Sequence, residues 1–180
     1  EENSDIATTV GVLSSADEDE GEFLAFSFKD IPGNNNDRFF IVGNDLKASQ
    51  SFDFETQSEY YIYINVVDGQ GEEFFKVYNI KITDGNDAPT DIQVSNLSVS
   101  EDQSIGSFIG RITTTDIDVN QTHLHQLANG VGDVDNSSFT LRNDSLFTNT
   151  IFDEGIKSTY EINIQSNDQN GGLFTKAFEI

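Results

Sequence analysis

The chain has 180 residues, enough for one large domain or two small ones, with 9 basic against 32 acidic side chains and a formal net charge of -23. That balance excludes nucleic acid and anionic membrane surfaces as partners, because both are held by Lys and Arg. With no Cys there is no disulfide framework, and no apolar run approaches the ~20 residues that span a bilayer, so no membrane insertion is expected of this stretch. The hydrophobic share is lean at 36%, but 15 phenylalanines can close the core of a small sandwich.

Taken in chain order, the predicted elements are all strands. The first secure one covers residues 60–67, YYIYINVV, with Ile62, Ile64 and Val66 on one face and Tyr61 and Tyr63 on the other. Residues 73–83 alternate through Tyr78, Ile80 and Ile82. A strand is predicted from Ile92 to Val99, and another over 160–166, with Ile162 and Ile164 inward. Gly43-Asn44, Asp68-Gly69, Asn129-Gly130 and Asn170-Gly171-Gly172 mark turns between the runs. No segment has helical periodicity. The fold class expected is all-β, with antiparallel Greek-key sandwiches.

The chain also repeats itself. Glu2, Gly11, Asp17 and Asp19 fall on Glu101, Gly110, Asp116 and Asp118 at an offset of 99. From Phe39 on the offset is 100, which pairs Leu46 with Leu146, Phe52-Asp53 with Phe152-Asp153, Tyr60 with Tyr160, Asp68 with Asp168 and Lys76 with Lys176. Two domains are therefore expected, 1–87 and 88–180, meeting near Pro89. The second copy opens with the strand from Ile92, which the first copy lacks, and it stops before any second junction. The chain reads as a piece of a longer array.

So large an acidic excess is either a solvated surface or a set of carboxylates arranged for Ca²⁺, which takes six to eight oxygens at about 2.3–2.6 Å. Position favours the second. Acids cluster at strand ends and in the junction Asp84-Gly85-Asn86-Asp87-Ala88-Pro89, and Asp116-Ile117-Asp118 is a D-x-D that points alternate side chains one way.

These motifs, in this order, resemble those of the cadherin family of calcium-dependent extracellular repeats. The junction is similar to that family's D-x-N-D-x-P linker, Phe52-Asp53-Phe54-Glu55 to its L-D-x-E, and Val67-Asp68-Gly69 and Asn167-Asp168 to its A-x-D. The resemblance covers nearly the whole chain, twice. It implies about three Ca²⁺ ions at the junction. Their ligands would be Glu2, Asp53 and Glu55 from the first repeat, and Asp84, Asn86, Asp87 and carbonyls near Gly85 and Ala88 from the linker. The second repeat would supply Asp116, Asp118 and Asp168. Asp17, Asp19 and Asp68 would serve a preceding linker, and Glu101 and Asp153 a following one. There the pattern departs, because Gly155 stands at the register position of Glu55. Ala88 replaces the usual Asn, which matters little if only its carbonyl is used.

The resemblance further implies an extracellular or cell-surface location, in a bacterial surface or secreted protein, with neighbouring repeats and a protein or polysaccharide as partners. The function expected is calcium-dependent rigidification of an adhesive rod. An alternative is a carbohydrate-binding module that stacks sugars on Tyr61 and Tyr63. No G-x-S-x-G elbow or G-x-x-x-x-G-K-[ST] loop occurs, and ion binding accounts for the acids better than a hydrolase would, so no enzymatic activity is expected. His123 and His125, at i and i+2, are a thin signal for zinc and read as surface or loop histidines.

Overall fold

The computed structural model describes residues 1–16 and 25–180, so Asp17 and Asp19 lie outside the described residues. The chain divides into two compact units, Glu1–Gly85 and Asn86–Ile180.

In the first unit, β1 (Thr9–Val12), β4 (Asp45–Ala48) and β3 (Phe39–Val42) form one antiparallel sheet. The other contains β2 (Ala25–Phe28), β5 (Glu59–Val67) and β6 (Glu73–Lys81). The core between them holds Leu13, Phe39, Leu46, Phe52, Tyr60, Ile62 and Ile64. β5 forms because its odd and even residues can part: Tyr60, Ile62 and Ile64 turn inward while Tyr61 stays exposed.

The second unit repeats this plan with one strand more. β7 (Asp91–Val94), β8 (Phe108–Thr115), β11 (Ser145–Thr148) and β10 (Phe139–Arg142) form one sheet; β9 (Leu124–Leu127), β12 (Glu161–Asn167) and β13 (Leu173–Glu179) form the other. Ile92, Ile112, Leu146, Ile162 and Ile164 are buried between them. The expected strand from Ile92 to Val99 is shorter than predicted. It ends at Val94, because the Asn96 side chain turns the backbone by donating to the carbonyls of Ser98 (2.6 Å) and Ile109 (3.0 Å).

The two cores match in detail. Phe39, Phe52 and Tyr60 form an aromatic triangle with centroids 5.2, 4.7 and 6.1 Å apart; Phe139, Phe152 and Tyr160 repeat it at 5.3, 4.6 and 6.2 Å. An asparagine, buried at Asn36 and half-buried at Asn136, ties a 3-10 turn to a strand in each unit. Asn36 donates to the carbonyl of Lys29 and accepts from the Tyr63 N–H; Asn136 does the same with Ala128 and Asn163. No described helix is long and apolar enough to cross a membrane.

Candidate metal-binding site

The expected ligands fall into two groups, one on each unit. In the first unit, carboxylate oxygens of Glu2, Asp53 and Glu55 lie within 4.8 Å of one another. Glu2 sits just ahead of the turn into β1; Asp53 and Glu55 lie in the loop between β4 and β5. Glu2 is 4% exposed, and its carboxylate is fixed by two backbone donors: the Phe54 N–H gives to Oε2 at 2.7 Å and the Gly85 N–H to Oε1 at 2.8 Å. Asp53 caps its own loop through the Thr56 N–H and hydroxyl. Asp84 is exposed and Gly85 half-buried, at the end of this unit.

In the second unit the ligands expected from Asn86, Asp87, Asp116, Asp118 and Asp168 are joined by hydrogen bonds. The Asp87 N–H gives to Asp118 Oδ2 at 2.8 Å, and the Asp118 N–H to Asp116 Oδ1 at 3.1 Å. The Asn86 amide gives to Asp168 Oδ2 at 2.8 Å. Asp168, at the end of β12, is 2% exposed and also accepts the N–H groups of Asn170 (2.7 Å) and Gly172 (2.9 Å). Burial pushes its carboxyl up, but the Asn86 amide and the backbone N–H groups of Asn170, Gly172 and Gly171 outweigh that and hold it below the usual 3.8. Residue 172 must be glycine. A Cβ there would stand 2.1 Å from Asp168 Oδ2 and 2.7 Å from the Ala88 Cα.

Two residues of this network escaped the sequence reading. Gln121 donates from Nε2 to both Asn86 Oδ1 and Asp118 Oδ2, each at 2.9 Å. Its Oε1 is buried with no hydrogen-bond partner, which leaves an oxygen beside the carboxylates without a proton donor. His123 gives Nε2–H to Asp116 Oδ2 at 2.8 Å. Position was the one available signal: both follow the D-x-D within a few residues. His125 corrects the expectation of surface histidines. Its side chain is 3% exposed and sits in a relay. Nδ1–H gives to Asp144 at 3.0 Å, so neutral Nε2 accepts the Thr114 hydroxyl at 2.8 Å, and Ser166 gives its hydroxyl to Thr114 at 2.8 Å. The two histidines serve different carboxylates, and neither belongs to a three-ligand metal group among the described residues.

The outer positions are thinner. Asp68 caps its own turn through the N–H groups of Gln70 and Glu72. Glu101 accepts from the Glu154 N–H at 3.2 Å and Asp153 from the Gly155 N–H at 2.9 Å, but no third carboxylate joins this pair among the described residues. Tyr61 is 45% exposed, with its hydroxyl given to Glu59, while Tyr63 is half-buried.

The donor set fits a hard cation. It is all oxygen, partly buried, held in place by backbone donors, and includes an acceptor that lacks a partner. No protein-family model matches the chain. Human Cadherin-12 is 23% identical over 197 aligned residues, which take in 99% of this chain and 25% of that protein. Mouse Protocadherin Fat 4 is 27% identical over 169 residues, covering 90% of this chain and 3% of its own length. The chain thus spans a quarter or less of these relatives. The crystal structure of human Protocadherin-24 EC1-2 superposes with a TM-score of 0.63 at 18% identity, covering 98% of this chain and 87% of that one. The Protocadherin GammaB4 extracellular domain gives 0.61 at 24%, covering 99% and 29%. The chain has a cadherin-like fold. Within that cadherin-like frame, both groups of acids lie in loops and at strand ends outside the sandwich cores.

Proposed function

We propose that the chain is a pair of calcium-binding cadherin-like repeats from an extracellular adhesive or surface protein, stiffened by Ca²⁺ held where the repeats join. About three ions would be bound, as the cadherin resemblance implies. Glu2, Asp53, Glu55 and Asp84 would supply ligands from one repeat; Asn86, Asp87, Asp116, Asp118 and Asp168 would supply them from the other, with carbonyls at Gly85 and Ala88. The observation that carries this reading is the packing of Glu2, Asp53 and Glu55 within 4.8 Å. At that separation two carboxylates repel by about 3.5 kcal/mol at an effective dielectric of ~20, less where water and salt screen the exposed pair. A divalent cation reverses the sign of each term. Extracellular calcium modules bind with dissociation constants of about 0.1–1 mM, which suits a surface protein.

The test is calorimetric titration of Ca²⁺ into chelator-treated protein, paired with thermal melts and a Mg²⁺ control. Saturation at about 100-fold over the dissociation constant contributes roughly 2.7 kcal/mol per site, an upward shift of several degrees in Tm. Glu2→Gln should remove most of that calcium-dependent increment. Absence of both binding heat and Tm shift at about 10 mM Ca²⁺, ten times the weakest extracellular affinity, overturns the proposal.

A further inference from the structure

Among the described residues, two buried side-chain polar atoms lack a hydrogen-bond partner: Asn65 Oδ1 in the first unit and Gln121 Oε1 in the second. Gln121 lies among the expected ligands, and the direction of each bond around it is fixed. Asp168 accepts the backbone N–H groups of Asn170 and Gly172, so it stands as an acceptor. Asn86 must therefore turn its Nδ2 toward Asp168 Oδ2, at 2.8 Å, which leaves Asn86 Oδ1 to accept. Asp118 Oδ2 takes the Asp87 N–H, so it too is an acceptor. Gln121 Nε2 gives to both, at 2.9 Å each. Turning the Gln121 amide over would set its oxygen against two other acceptors with no proton between them. The amide has one orientation, and Oε1 is the atom left over.

That atom stands within reach of a shared cation. The oxygen and nitrogen of an amide are about 2.3 Å apart, so Oε1 lies no more than about 5.2 Å from Asn86 Oδ1 and from Asp118 Oδ2. Oxygens that share one Ca²⁺, each at about 2.3–2.6 Å, stand up to about 5.2 Å apart. The loop holds Gln121 in place from both sides. Asn120 takes the left-handed conformation, φ 65°, which turns the chain back after the D-x-D. Thr122 is pinned by Gln169, whose Nε2 gives to its carbonyl at 2.9 Å and to its hydroxyl at 2.7 Å. His123 is tied to Asp116 Oδ2 at 2.8 Å. Oε1 therefore has little freedom to swing out to water. A buried acceptor without a donor carries the full desolvation penalty of the group, which a cation seated against it removes.

We infer that Gln121 is a direct ligand of a Ca²⁺ ion in the second unit, its Oε1 joining the carboxylates of Asp116 and Asp118 as a neutral oxygen. The assignment rests on the calcium reading proposed above. It adds a side chain to the ligand set that the cadherin resemblance implies, which takes nothing from residues 119–167 for these ions. Gln121 then has two tasks: Nε2 orients Asn86 and Asp118, and Oε1 binds. The same oxygen bears on selectivity. Ca²⁺ takes six to eight oxygens in a loose geometry, whereas Mg²⁺ demands a near-ideal octahedron at about 2.0–2.1 Å and keeps several waters. One more protein oxygen, on a pinned amide, favours the larger ion.

The experiment uses the 180-residue chain with Ca²⁺, Mg²⁺, and Tb³⁺ as a luminescent stand-in for Ca²⁺. In wild type labelled with ¹³C at glutamine Cδ, the Gln121 resonance should move on Ca²⁺ addition and saturate with the calorimetric isotherm. Gln121→Met removes both amide atoms, while Gln121→Glu removes the donor and keeps an oxygen in place. Gln121→Met should weaken the affected Ca²⁺ site by about tenfold or more and Mg²⁺ binding by less. Tb³⁺ decay rates in H₂O and D₂O count coordinated waters. Summed over the bound ions, that count should rise by about one in Gln121→Met and stay level in Gln121→Glu. A residue that only positions Asn86 and Asp118 would leave the count level in both. A Gln121 resonance indifferent to Ca²⁺, in a wild type that binds the ion, overturns this assignment alone, as does an unchanged water count in Gln121→Met. A wild type that binds no Ca²⁺ overturns the calcium reading and the assignment with it.

Discussion

Replacing Asp168 by Asn changes one atom and should cost the second unit about 3 kcal/mol. The carboxylate accepts three donors: the Asn170 N–H on Oδ1, the Asn86 amide on Oδ2, and the Gly172 N–H shared between them. An amide keeps one acceptor and turns the other into a donor, so either Asn86 or Asn170 faces an N–H. A buried donor left unpaired costs about 1–3 kcal/mol, and the surviving bonds lose their charge assistance, about 1 kcal/mol more. Asn86 cannot simply reverse its amide, because its Oδ1 already takes the Gln121 Nε2–H. For a unit of this size 1 kcal/mol shifts Tm by about 4–8 °C, so scanning calorimetry in chelator at pH 7 should show the upper or only transition fall by roughly 12–24 °C. Asp68→Asn is the comparison. Asp68 takes the Gln70 and Glu72 N–H groups on a single oxygen, which an amide retains, so its loss should be smaller by half or more. The pH dependence follows the same carboxyl. Its folded value lies below 3.8, so the stability it adds is complete above that value and disappears as pH falls through the lower one; wild type and Asp168→Asn should converge in acid. Equal losses at Asp68 and Asp168, or a Tm change at Asp168 under about 2 °C, would refute the reasoning.

His125 predicts a second pH effect of the same sign in a higher range. Burial lowers its value below 6.5, with His123 adding to this and Asp144 partly opposing it. The neutral ring is therefore the folded form, and stability should decline as pH drops from 6.5 through the folded value; His125→Gln should flatten that limb of a Tm-against-pH profile. Asn136→Ala removes the acceptor of the Asn163 N–H and the donor to the Ala128 carbonyl, and should cost about 2–4 kcal/mol by urea denaturation, with an unchanged m-value. Phe152→Ala opens the aromatic triangle of the second unit and should cost about 3–5 kcal/mol by the same measurement.

Much of the fold is legible in the sequence. Period-2 alternation in β5 and β12 placed Ile62, Ile64, Ile162 and Ile164 inside, because side-chain direction on a strand depends on parity alone. The resemblance of Phe52-Asp53-Phe54-Glu55 to the cadherin L-D-x-E motif implied Glu2, Asp53 and Glu55 as one ligand group, and their carboxylate oxygens lie within 4.8 Å of one another. Gln121 and His125 were not legible. Gln and His carry no periodic signal in a loop or at a strand start, and their roles depend on which groups fold over them: Asn86 and Asp118 for one, Thr114 and Asp144 for the other. The early end of β7 was hidden for a related reason. Residues 95–99 continue an apolar pattern only through Leu97 and Val99, and the side-chain bonds of Asn96 turn the backbone away.

The clamp of Lys176 on Asp91 joins residues 85 positions apart, whereas β12 and β13 form a hairpin that closes over a handful of residues. Loop closure makes such distant contacts late on the folding path and early on the unfolding one. β7 should therefore be the seam along which the second unit first opens: its amides should exchange by a partial opening well below the global unfolding free energy, and a protease should cut at residues 95–99 before it reaches the hairpin.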